Sequence, residues 1–145
     1  MGSEMCIRDS CATCHGMNAE GTQDAPSLIG VGAASVDFQV GTGRMPLQAN
    51  SVQAPDRTED FSQEEVSQMA AYVASLAPGP AIPAEEYTEV VEDPERVSKG
   101  NELFRTNCAM CHNVVGAGGA LTRGKWAPDL TETSAKHVYL SLIHI

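Results

Sequence analysis

Five cysteines occur in the 145 residues, and four of them fall into two frames of one form, CATCH at 11–15 and CAMCH at 108–112; the fifth is Cys6. The C-x-x-C-H spacing is that of covalent haem attachment, in which each thiol adds to a vinyl group and the adjacent imidazole becomes the proximal iron ligand. Two thioethers on one macrocycle edge fix the backbone, so the next ring points at the iron. The chemistry expected is therefore two covalent haem c groups, one on Cys11 and Cys14 with His15, the other on Cys108 and Cys111 with His112. Other uses of these residues fit less well. A zinc ribbon sets its knuckles about 15–20 residues apart, whereas 93 residues separate Cys14 from Cys108. A thioredoxin-like pair calls for a βαβ pattern, and no alternating or β-branched runs are present. Structural disulfides would leave both histidines without a purpose.

A haem on His15 needs a sixth ligand or an open site. Met17 is too near His15 to reach the opposite face, and Met69 lies on an apolar helical stripe where methionine is usually core filler. Met45, in GTGRMP, stands 30 residues after His15. Its two glycines allow close backbone approach and Pro46 favours an extended residue before it. Met45 is the distal candidate. No methionine follows His112; His137 is the alternative there, against a plain helical surface histidine. Proximal imidazoles donate their other N–H to a carbonyl, and Pro26 and Pro128, in the paired strings APSL (25–28) and APDL (127–130), are placed to offer one.

The elements that must hold these residues read as two homologous lobes. Residues 11–77 form the first. It closes with FSQEEVSQMAAYVASLA, where Ser62 and Glu65 make a capping box and Val66, Met69, Ala70, Val73 and Leu76 share one face. Residues 78–93 are a proline-rich acidic linker. Residues 94–140 form a second, incomplete lobe, opening on a helix from Pro94 to Asn107 whose inner stripe is Val97, Gly100, Leu103 and Phe104. The stretch between the second motif and APDL is longer by five residues, with GAGG at 116–119 as the loop. MGSEMCIRDS and SLIHI resemble translated adapter read-through, so 1–10 and 141–145 are expected to be artefactual tails. Aligning Pro128 on Pro26 puts the counterpart of Met45 beyond residue 145.

Composition agrees with an all-α fold built round a prosthetic group. Only 5% of residues are aromatic, with 13 glycines and 8 prolines, and two lobes of about 65 residues would be marginal on apolar burial alone. A net charge of −10 argues against general nucleic-acid binding. The charge is uneven: residues 11–77 are net −6, residues 96–140 net +3, which fits differently charged docking faces or plain solvated surface. No run of 18 apolar residues is present to span a bilayer.

With both frames, APxL, GRMP and the closing helix in place, residues 11–140 resemble the class I cytochrome c fold in tandem. The stretch HGMNAEGTQDAPSLIGVGAASVDFQVGTGRMP is similar to the dihaem cytochrome c subunits of actinobacterial menaquinol–cytochrome c reductases, the cytochrome bcc complexes. The resemblance implies an electron-transfer subunit anchored on the extracytoplasmic face of the plasma membrane. It would work with cytochrome b and the Rieske iron–sulfur subunit and pass electrons towards cytochrome c oxidase. It also implies Cys11, Cys14, Cys108 and Cys111 as haem anchors, His15 and His112 as proximal ligands, and Met45 as distal ligand. The sequence lacks the family's membrane anchors, the first helix of lobe 1 and the end of lobe 2. A soluble dihaem carrier, the cytochrome subunit of a periplasmic dehydrogenase, and a dihaem peroxidase are the other classes the motifs allow.

Overall fold

The structure, a computed structural model, describes residues 10–49, 51–58, 60–89 and 92–144. Cys6, all of the 1–10 tail but Ser10, and Ile145 lie outside them. Helix predominates: among the described residues the α-helices are α1 (Ala12–His15), α2 (Gly32–Gly41), α3 (Gln63–Leu76), α4 (Pro94–Asn107), α5 (Ala109–His112) and α6 (Ala135–His144). The chain packs as two units, Ala84–Tyr139 and the remainder, so one division falls inside the stretch 78–93 and the other inside α6, whose residues from Leu140 on group with the first unit.

In the first unit α3 forms where the sequence places it. Ser62 Oγ accepts from the Glu65 N–H (3.4 Å), and Glu65 Oε2 accepts from the Ser62 N–H (2.8 Å). Two of the four orphan donors of the first turn are thereby satisfied. The Ser62 N–H, with its hydroxyl second, holds the Glu65 carboxyl below the usual glutamate range. Val66, Met69, Ala70 and Val73 are buried along one face. They pack with Val36 and Val40 of α2, and Leu28, Val31, Met45, Phe61 and Tyr72 close round them. α2 carries no clear helical signal in its sequence. GAASVDFQVG has small and apolar residues on most sides, so its periodicity is weak, and its burial against α3 decides the matter. Beyond α3, the Pro80 carbonyl accepts from the Ala34 N–H (3.1 Å), which ties the start of the proline-rich stretch to α2.

The second unit has little protein core. The Asp93 side chain caps α4, accepting from the Glu95 N–H (3.0 Å), and Pro94 sits in the first turn. The expected inner stripe is not covered: α4 buries no residue, and Val97 and Leu103 are 54% and 53% exposed. An apolar stripe is only buried when an apolar surface faces it, and among the described residues little does so here beyond the half-burial of Phe104. Among the described residues of this unit, Gly116 and Ala127 are the buried ones.

The segments that follow the two CxxCH helices are copies of one another. In the first, hydrogen bonds run Ala19 N–H to Gly16 O, Gly21 N–H to His15 O, Leu28 N–H to Ala19 O and Val31 N–H to Leu28 O. In the second they run Gly116 to Asn113, Gly118 to His112, Leu130 to Gly116 and Thr133 to Leu130. The left-handed residues match as well: Gly16, Ala19 and Gly21 (φ 86°, 58°, 89°) against Asn113, Gly116 and Gly118 (68°, 78°, 68°). GAGG is therefore not the insertion, because Gly116 and Gly118 are counterparts of Ala19 and Gly21. The five extra residues lie in an antiparallel hairpin, β1 (Gly119–Ala120) paired with β2 (Trp126–Ala127), between Gly118 and Pro128. Its turn is closed by the Leu121 N–H donating to Lys125 O (2.8 Å).

Ser62→Ala should lower the unfolding midpoint of the first unit by about 4–8 °C at neutral pH. A carboxyl with a depressed folded-state pKa stabilises above its unfolded value and loses that effect as pH falls. The deficit of Ser62→Ala should therefore shrink below about pH 4.3, as thermal unfolding followed by circular dichroism at several pH values would show. In the second unit, Gly118 and Gly124 both have positive φ (68° and 73°). A Cβ on Gly118 would collide with Ala127 O and lie 2.7 Å from the Pro128 carbonyl carbon, whereas one on Gly124 meets nothing within 4 Å. Denaturant unfolding should show Gly118→Ala costing at least about 2 kcal/mol, and Gly124→Ala about 1 kcal/mol or less.

Candidate functional site

Each CxxCH frame folds as a single helical turn, α1 or α5, with its histidine last. Cys11 and Cys108 are half-buried and Cys14 and Cys111 exposed; all four are thiols, not disulfides. One turn is the shortest unit that brings positions i and i+3 to one side, so both thiols of a frame face the same way. The loop after α1 is pinned to it by the Thr22 hydroxyl, which donates to Cys14 O (2.5 Å).

His15 Nδ1 lies 2.6 Å from Pro26 O, and His112 Nδ1 lies 2.9 Å from Pro128 O. A carbonyl oxygen can only accept, so in both rings Nδ1 carries the proton. In the neutral imidazole this leaves the lone pair on Nε2, the atom suited to bind a metal. The loops set up this geometry. Gly21 and Gly118 are closely backed by Pro26 and Pro128, where a Cβ would displace the carbonyl segment. The residue after each proline stabilises the turn in the same way. Ser27 Oγ accepts from the Ile29 N–H (3.1 Å), and Asp129 Oδ1 from the Thr131 N–H (2.8 Å). The Thr131 hydroxyl, then its N–H, holds the Asp129 carboxyl below the usual aspartate range.

Met17 is 67% exposed and Met69, 2% exposed, is locked in the α2–α3 core. Met45 lies on the loop after α2, partly buried against that core, with its N–H donating to Gln39 O (2.9 Å) and a cis peptide bond to Pro46. His137 lies on α6, its backbone N–H donating to Ser134 Oγ (3.2 Å).

Haem fits the donor set. Each frame offers two thiols and one imidazole with a preset tautomer, the number and kind that two thioethers and one axial bond require. Among the described residues no three His, Cys, Asp or Glu side chains converge as a metal-ion cage would need. Apolar surface is also exposed beside the second frame, on Leu103, Val114, Val115 and Trp126 (38–69% exposed), which a large apolar group could cover. Among the described residues, no helix is long and apolar enough to cross a membrane.

Some of this geometry was not foreseen from the sequence. The left-handed residues at 16/113, 19/116 and 21/118 recur at one constant offset from the histidines, a signal visible in the two strings once aligned on CxxCH. The contacts of Arg57, which reach the Met45 loop, had no such signal.

Comparison with known proteins agrees with this geometry. Residues 1–77 match the cytochrome c family, and residues 95–140 match the family described as cytochrome c oxidase, cbb3-type, subunit III. The cytochrome bc1 complex cytochrome c subunit of Corynebacterium efficiens is 44% identical over 147 residues, covering 92% of this chain and 50% of the relative. The subunit of the same name from Mycobacterium bovis is 41% identical over 138 residues, covering 92% and 49%. The cbb3-type cytochrome c oxidase subunit FixP of Rhizobium meliloti is 30% identical, over 85% of this chain and 41% of FixP. The chain thus spans about half the length of the curated bc1 relatives it matches. The chain belongs to the cytochrome c family, whose domains carry covalently attached haem for electron transfer.

Proposed function

We propose that this chain carries two haem c groups in tandem cytochrome c lobes and conducts electrons as part of the cytochrome c subunit of a respiratory quinol–cytochrome c reductase. The observation that carries the number two is the repeated imidazole–carbonyl geometry, His15 with Pro26 and His112 with Pro128, inside loops that share their hydrogen bonds. A single-haem protein would have no use for the second copy. In this reading Cys11, Cys14, Cys108 and Cys111 anchor the haems, His15 and His112 are proximal ligands, Pro26 and Pro128 orient them, and Met45 is the distal ligand of the first haem.

Haem bound here supplies a one-electron iron couple held by the protein at a set potential. The chain's own part is to fix each imidazole by its Nδ1–H, raise its basicity through the carbonyl, and exclude water with apolar side chains. Met/His ligation of the first haem would fill both axial positions, which favours electron transfer over oxygen or peroxide chemistry.

The names of the bc1 relatives support membership of such a complex; the partners in this reading, carried by the resemblance alone, are a cytochrome b and a Rieske iron–sulfur subunit on the donor side and a cytochrome c oxidase on the acceptor side. An extracytoplasmic position on the plasma membrane is part of the same reading and rests on the resemblance alone. The likeness of 95–140 to a cbb3-type subunit is explained by the shared lobe, since the bc1 relatives match more strongly over more of the chain.

Denaturing mass analysis of the protein made in a host that attaches haem c should show two haem adducts. Cys108→Ser with Cys111→Ser should remove one and leave the other. A single adduct on the parent would overturn the two-haem assignment. Met45→Ala should lower the first haem's potential and open it to imidazole, read by spectroelectrochemistry; a spectrum and potential equal to the parent's would remove Met45 as ligand.

A further inference from the structure

The loop that bears Met45 is held at several points by Arg57. Arg57 is one of two bases among the eight acids of residues 11–77, and its side chain is 22% exposed. Its backbone N–H donates to Thr42 O (3.2 Å), and its guanidinium Nη2 donates to Pro46 O (2.9 Å). Asp60 Oδ2, 3.4 Å from the same Nη2, orients the guanidinium. Gly43, at φ +65°, packs so closely on the Arg57 carbonyl that a Cβ there would collide with it. Arg57 therefore grips the chain at Thr42, Gly43 and Pro46, on both sides of Met45, while Gln39 O takes the Met45 N–H from below (2.9 Å).

We propose that Arg57 is the positioning residue for Met45, clamping both ends of the 42–46 loop so that the thioether is presented in one place. The proposal rests on Met45 being the axial ligand of the first haem. A carbonyl bonded to a guanidinium gains a charge-assisted hydrogen bond, stronger than a neutral one and lost whenever the loop lifts. The clamp thus lowers the population of the lifted loop, the state in which an external ligand can take the place of Met45. The main-chain contacts of residue 57 do not depend on its side chain and are available to Gln or Lys there. What the side chain adds is the bond to Pro46.

In the haem-loaded full-length protein, Arg57→Gln should raise the affinity of the first haem for imidazole about tenfold. Arg57→Lys keeps the charge but presents a compact, more strongly hydrated ammonium in place of the Nη2 that serves both Pro46 and Asp60, so it should fall between Arg57→Gln and the parent. Asp60→Asn, which weakens only the orienting pair, should shift affinity slightly in the same direction. Met45→Ala sets the limit of full opening. If Arg57→Gln binds imidazole as the parent does while its unfolding midpoint falls, the residue is merely structural and the proposal is overturned. Should Arg57→Gln fail to fold, unchanged imidazole affinity in both Arg57→Lys and Asp60→Asn overturns it equally. If Met45→Ala itself leaves imidazole binding at the parent's value, the ligand assignment is what has failed, and the clamp falls with it.

Discussion

A proline carbonyl can accept a hydrogen bond but never donate one, and a neutral imidazole has one nitrogen of each kind. When Pro26 O and Pro128 O come within hydrogen-bond reach of Nδ1, the proton must sit there and the lone pair must sit on Nε2. Much of the local structure serves that pairing. The left-handed residues turn the chain back sharply after each CxxCH helix, Gly21 and Gly118 let the proline segment come close, and Ser27 or Asp129 caps the turn that follows. A hairpin that adds five residues lies between the fixed points in one copy and not in the other, and the histidine–proline contact is present in both.

The two units differ in how far protein alone supplies their interior. In the first, α2 and α3 bury valines, alanines and Met69 against one another. In the second, α4 buries nothing, and its Val97 and Leu103 are more than half exposed. A segment of such size cannot assemble a large apolar core from its own side chains. A covalently attached macrocycle would contribute apolar area where side chains are scarce, as a structural metal or disulfide does in other small domains. In the proposed reading the two cysteines of each frame would bear on folding as well as on electron transfer.

The parts of the fold legible in the sequence were those fixed by local chemistry. The Ser62–Glu65 box, the Pro94 start of α4 and the buried face of α3 follow from capping and periodicity. The cytochrome c family likeness followed from the CxxCH frames with APxL and GRMP. What the sequence did not disclose was decided by long-range packing. α2 has no clear amphipathic pattern and is helical because α3 covers it. The stripe on α4 was real as a pattern, but a pattern does not say what will face it. GAGG read as an insertion because glycines mark loops, yet two of its glycines fill left-handed positions that both copies need. The grip of Arg57 on Pro46 spans 11 residues, beyond the reach of any local rule.

The hairpin between Gly118 and Pro128 is held at its base by the β1–β2 pairing, while Arg123, Gly124 and Lys125 at its tip are exposed. Its length is thus decoupled from the geometry of the ring it borders. The tip is consequently a natural graft point: a short peptide or a spectroscopic label placed at 123–124 would report from beside His112 without altering how that ring is held. The counterpart in the first loop has no such slack, because there the chain runs from Gly21 to Pro26 in five steps.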